Sequence, residues 1–430
     1  MSTPPLERIP ALWPFKRAFY GWGVVATSVL VSFAQVPMYG PVLSVFVKPI
    51  GDDMGWSRGQ ISIAFTLGSL FGSLISVVVG RQLDRAGART AVVVAGMVVT
   101  GVLVGMALMQ QVWQFWILFG VGRTAALAGI NLGTSVAVAN WFVRKRARAA
   151  SFLGIGLRTG QAVFPLFIAP IVVYYSWRHA YAFLAIVVFI LVVIPGWLFI
   201  RRRPEDFGLH PDGDSAEAAA APGNAAARDL AASWTLPEAR RTVAFWLLTI
   251  ASMTVVFAQT AVNLHAVASL QDRGVGGGFA GIFVFLFAGT AALSALGWGA
   301  VMDRWHVRWG TIAATLFSSV SMVLLIMADN LPMAVGFALL FGLGTGGWTI
   351  AQTVLFANYF GRRYLGSIRG YTQMISAPMG AFGPLMAGWL KDATGSYTMA
   401  LSIFLVTQCI VAISLLAARQ PTKRPAPPAA

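Results

Sequence analysis

GRQLDRAGART, residues 80–90, closes one apolar run, and GAVMDRWHVR, residues 299–308, closes another. The Asp84-Arg85 and Asp303-Arg304 pairs lie 219 positions apart. A second echo has nearly the same offset: Trp141-Phe142-Val143-Arg144-Lys145 is answered 218 positions later by Tyr359-Phe360-Gly361-Arg362-Arg363. Two independent matches at almost one spacing make the chain a duplication, and internal repetition constrains a fold before any single element does. Each half carries the same basic turn after its second and its fourth apolar segment.

Outward from those turns the chain is mostly hydrocarbon. Of 430 residues, 57% are apolar and only 11% charged, against about 25% charged in soluble domains. Mean hydropathy is +0.72. Twelve segments are long enough to cross a bilayer, each near the ~20 residues required. They run over 21–47, 58–82, 89–110, 114–142, 149–175 and 179–200, then 243–269, 277–302, 310–328, 333–358, 368–391 and 397–418. The expected architecture is an all-α polytopic membrane protein with twelve transmembrane helices in two six-helix halves, residues 1–200 and 242–430. Residues 201–241 between them contain the Ala-rich DGDSAEAAAAPGNAAARDLAAS and read as a flexible cytoplasmic linker, with room for a short surface helix. The first apolar run is long enough to span, which favours a retained helix over a signal peptide.

The formal charge of +16 is spread over short clusters between apolar segments, the positive-inside pattern and not a nucleic-acid-binding face. With the N-terminus cytoplasmic, that side holds 24 of the 31 Lys and Arg, and the other side five (Lys48, Arg58, Arg178, Arg273, Lys391). Both termini are therefore expected in the cytoplasm of a bacterial-type inner membrane. Arg144, Lys145, Arg146 and Arg148 read as topology determinants and lipid head-group contacts. Cys409 has no partner for a disulfide, and no metal or cofactor motif is present.

The two remaining cations lie inside the apolar segments. Arg123 is ten residues beyond Trp113 and Arg158 ten beyond Arg148, so each is about 15 Å deep, half of a core about 30 Å thick. A cation at that depth costs about 2.5–3.5 kcal/mol on insertion scales, which marks a functional site. The alternative is a structural arginine bonded to neighbouring carbonyls. At the corresponding positions the second half has Phe341 and Ser376. All 15 acidic residues fall in loops, tails or helix ends, so no intramembrane carboxylate pairs with either arginine. A guanidinium stays charged when desolvated and matches a carboxylate geometrically, so an anionic ligand held mainly by the first half follows. Candidate lining residues are Gln161, one turn from Arg158; Gln35 and Tyr39, read as one face of the first helix; Asn263, His265 and Gln259 in the seventh; Trp348 and Gln352 in the tenth; and Ser376 and Gln373 in the eleventh. His265 is the intramembrane group that titrates near neutrality and the candidate carrier of a coupled proton.

GRQLDRAGART resembles the G-x-L-x-D-R-x-G-x-R signature of the major facilitator transporters, whose parallel halves match the duplication. Along nearly its whole length the chain resembles the monocarboxylate and oxalate–formate porter branch. The pieces are YGWGVV, GWSRGQIS, WFVRKR, SWRHAYAFLAI, RRRPEDFGLHPDG, LHAVASLQDRG and YFGRRYLGSIRG. That branch often carries a cation in its eighth helix, where FAGIFVFLFAGTAALSALGWGA has none. The resemblance implies alternating access, with Gly80, Asp84, Arg85, Gly87 and Arg89 forming a latch between the halves and Asp303, Arg304 and Arg308 a degraded second copy. The function expected is secondary transport of a small monocarboxylate-like organic anion by a monomer, with protons as a possible coupling partner. Efflux of amphipathic compounds suits the 12% aromatic content but not paired midplane arginines. A membrane enzyme would need clustered His, Asp or Glu in the bilayer, and a sensor would usually append a soluble domain.

Overall fold

A computed structural model describes residues 19–56, 58–215, 217–218, 233–275 and 280–421. The Ala-rich centre of the linker, 219–232, and the basic residues Arg8, Lys16, Arg17, Lys423 and Arg424 counted with the cytoplasmic side lie outside the described residues. The first segment is two helices, α1 (Gly21–Ala34) and α2 (Gly40–Met54). Then come α3 (Arg58–Ala86), α4 (Ala88–Leu108), α5 (Val112–Trp141), α6 (Arg146–Tyr174) and α7 (Trp177–Phe199). The second half comprises α8 (Val243–Asp272), α9 (Ala280–Arg304), α10 (Val307–Met327), α11 (Leu331–Phe360), α12 (Leu365–Thr394) and α13 (Thr398–Ala417). Among the described residues ten helices are long and apolar enough to cross a membrane. The α1–α2 pair and α12 complete twelve crossings. In hydrocarbon every backbone polar group needs an internal partner, so runs this apolar become helices. Side chains such as Leu166, Val173, Phe285 and Leu293 turn outward, as lipid-facing residues do.

Two departures from regular helix shape the interior. Between α1 and α2, Val36–Met38 forms a 3-10 turn and Tyr39 is extended (φ −110°, ψ 154°). Pro37 and Pro41 have no N–H to donate, so the ladder fails on both sides of Gly40. Gln35 and Tyr39 therefore do not share a continuous helical face, contrary to the reading above. Inside α5, Ala125–Asn131 is π-helical. The wide turn is built mainly from small residues and re-aims Asn131, as inserted turns do near functional sites.

The halves meet chiefly on the face bearing the basic loops, where α3 lies along α12 and α6 along α9 and α11. One apolar cluster there draws on both halves, including Phe142, Leu153, Trp298 and Phe360. A second, around Phe257, Phe337 and Phe404, belongs to the second half alone. Each helix that crosses between halves is capped by the opposite half. Helix α12 has no side-chain cap of its own. Asp84 at the end of α3 supplies one, accepting from Gly366 N at 2.9 Å, Ser367 N at 2.8 Å and the Ser367 hydroxyl. Helix α6 is likewise uncapped, and Asp303 at the end of α9 accepts from Ala147 N at 2.8 Å and Arg148 N at 3.1 Å. The second copy of the signature thus does the same work as the first, although its flanking residues have diverged. Gly80 is required by contact: a Cβ there would stand 2.2 Å from Gly366 O. Gly87 turns the chain from α3 into α4 at φ +85°.

The arginines of the two signatures lie outside this latch. Arg85 and Arg304 are exposed, Arg89 lies over the Trp197 ring at 5.4 Å, and Arg308 donates to Ala418 O at 3.2 Å. In the α5–α6 run Arg144, Lys145 and Arg148 are exposed, and Arg146 is not. Arg146 is 2% exposed and donates to Phe142 O and Asn358 Oδ1. Arg144 pairs with Asp214, and Arg148 with Asp303. The start of the expected linker is equally well tied. Asp212 accepts from the amides of Val143, Arg144 and Lys145, and Glu205 pairs with Arg362, which also donates to Asn140 O. Residues 204–214 are therefore part of the closed basic face and not a flexible tether.

Candidate functional site

The break after α1 and the π-turn of α5 bring one cationic cluster together. Arg123 is buried. Its Nη1 donates to Met38 O, the carbonyl exposed by the break, and its Nε to Ser69 Oγ at 2.9 Å. Its guanidinium lies over the rings of Phe65 at 3.9 Å and Tyr39 at 5.1 Å. The structural role weighed for this residue is realised, while its charge stays beside Tyr39. Arg158 is held more loosely, donating from Nη1 to Gln161 Oε1 at 3.3 Å. The Tyr39 hydroxyl is buried, close to both arginines and with Asn131 beside it. Gln35 is fully buried with both amide atoms unpartnered among the described residues.

Toward the basic face lies a polar cavity of about 230 Å³, bounded by Asn131 from the first half and by α8, α11 and α12 from the second. Gln352, Gln373 and Ser376 line it as expected. Trp348 is buried one turn from Gln352, with its indole N–H unpartnered. Two candidates lie elsewhere. Asn263 is exposed on α8. His265 bridges within the second half, from Nε2 to Pro384 O at 3.1 Å and Nδ1 to Tyr397 Oη at 3.2 Å. A carbonyl only accepts, so Nε2 carries the proton and Nδ1 accepts from the tyrosine.

The residue that sequence reasoning missed is Arg369. It falls six positions after the Arg362-Arg363 turn and was counted with the basic loops. Helix α12 begins at Leu365, earlier than expected, so Arg369 is already one turn inside and lines the cavity.

Residues 22–384 match the model of the Major Facilitator Superfamily. A protein of Escherichia coli (strain K12) named "Probable L-galactonate transporter" is 25% identical over 92% of this chain and 90% of its own length. The "Hexuronate transporter" of Bacillus subtilis (strain 168) is 24% identical over 83% and 85%. Among solved structures, FucP in the outward conformation superposes with a TM-score of 0.70 at 11% identity, covering 94% of this chain and all of that one. The duplicated signature, the twelve crossings and a family match over most of the length agree: the chain belongs to the major facilitator superfamily, and it is a membrane transporter and not an enzyme.

Proposed function

We propose that the protein carries a small organic anion of the sugar-acid kind, held first between Arg158, Tyr39 and Gln161. The observation that carries this reading is the Arg158 guanidinium, whose hydrogen-bond partner among the described residues is a neutral amide, near the buried Tyr39 hydroxyl. A carboxylate offers a planar guanidinium two acceptors, and the tyrosine and glutamine provide for hydroxyl groups. Arg123 adds charge without being free to move. The acids in the names of the two bacterial relatives are of this class, which supports the choice.

The basic face is the cytoplasmic face of a bacterial inner membrane, with both termini on that side. Residues 1–200 and 242–430 rock against one another as rigid halves, and a monomer suffices for the cycle. Protons are the coupling ion through His265.

The test is uptake into proteoliposomes of L-galactonate, D-glucuronate, lactate and oxalate, with and without an inward pH gradient. Saturable uptake of a sugar acid is expected. Arg158→Gln should lower it by about tenfold or more, the value of a hydrogen bond between charged groups, while inserting normally. Undiminished uptake in that variant rejects the site.

A further inference from the structure

The inner cavity contains a cation for which the cluster at Tyr39 has no use. Arg369 lies four residues into α12, about 6 Å along its axis. Its Nη1 is buried without a hydrogen-bond partner, and no carboxylate among the described residues pairs with it. Around it are neutral groups suited to hydroxyls: Gln352, Gln373, Ser376 and Asn131. The Ser376 hydroxyl is itself buried and unpartnered. A buried guanidinium with an idle donor is expensive to maintain, and such groups in native proteins call for an explanation. A structural arginine would spend its donors on carbonyls, as Arg123 does.

Its position gives the cavity a direction. Gly366, Ser367 and Gly370, on an adjoining face of the same turns of α12, are clamped to α3. Asp84 caps the first two, and the Ser76 hydroxyl donates to Gly370 O at 2.7 Å. Asn131 faces the Tyr39 hydroxyl and also lines the cavity, so one side chain separates the two cationic regions.

Building on the anion reading above, we propose that Arg369 is a second anion-binding station. It receives the carboxylate from Arg158 and presents it to the cytoplasm once the Asp84 latch opens. The first half binds on the outer side and the second half on the inner side. The ligand class is a polyhydroxy monocarboxylate, with its acid group on Arg369 and its hydroxyls on Gln352, Gln373 and Ser376.

The experiment uses full-length protein in proteoliposomes of defined orientation, with L-galactonate and D-glucuronate as probes. Half-saturation is measured separately from the outer face, as uptake, and from the basic face, as efflux. Arg369→Gln is expected to raise the basic-face value by about tenfold or more, the loss of one charge-assisted pair, and to raise the outer value by a clearly smaller factor. Arg369→Lys should recover most of the difference. A change equal on both faces, as a merely structural role would produce, overturns the station, and so does no change on either. If Arg369→Gln does not insert, Gln373→Ala and Ser376→Ala, which line the same cavity, carry the same comparison, and symmetry between the faces again overturns it. Wild-type protein that moves neither acid overturns the anion reading itself, and the station with it.

Discussion

Arg123 and Arg158 lie on consecutive helices, yet their surroundings divide the work. Arg123 satisfies a carbonyl freed by the α1–α2 break and is clamped by two rings. Arg123→Gln should therefore destabilise the protein by about 1–3 kcal/mol, because it leaves Met38 O buried and unpaired. Arg158→Gln should leave the melting temperature in detergent nearly unchanged. Thermal unfolding of the two variants side by side checks this, and equal losses would show that neither arginine is spare. At His265, replacement by Gln keeps a donor for Pro384 O but cannot titrate. Uptake should persist in that variant while its stimulation by a pH gradient disappears; stimulation that survives moves the coupling elsewhere. That Arg123 and Arg158 fall inside long apolar helices was legible from counting residues. The role of Arg369 was not, because it depends on where α12 begins, and one turn of helix separates a loop charge from a buried one.

At the scale of elements, the latch follows from unfinished helix ends. The first turns of α6 and α12 present amides that their own sequences do not cap, and the opposite half supplies a carboxylate to each. An N-cap contributes about 0.5–2 kcal/mol, and its charge is favoured by the helix dipole. Asp84→Asn keeps a weaker acceptor and should shift the population toward a state open on the basic face by several-fold. Gly80→Ala should have a larger effect of the same sign, since its Cβ cannot fit 2.2 Å from Gly366 O. Distances between spin labels on the α3–α4 and α11–α12 loops, in protein lacking Cys409, report the shift. Unchanged distributions in both variants would mean that other contacts hold this face. The signature motif made the Asp84 latch readable in the sequence. Its partners were unreadable, because backbone amides leave no trace in residue identity. The same reason concealed how intact the Asp303 copy is: the carboxylate and its spacing persisted while the residues around it changed. The α1–α2 break did have a signal, in Pro37 and Gly40-Pro41.

At the scale of the molecule, duplication, hydropathy and the basic loops determine most of the architecture, since hydrocarbon allows few alternatives to a bundle of helices. What they leave open is how the closed face is sealed. Segment 204–214 does part of that, through Asp212 and Glu205, although its charge and glycines read as linker. The reciprocal caps have a further consequence. Each half holds a carboxylate addressed to the other and an uncapped helix waiting for one, so the instructions for docking are written twice and point in opposite directions. The peptide between them need only raise the local concentration of one half near the other. Two separate polypeptides, cut within residues 219–232 and made in the same cell, should then find each other and recover transport. The combined Asp84→Asn and Asp303→Asn pair of fragments should co-purify far less well, because neither would any longer carry the other's address.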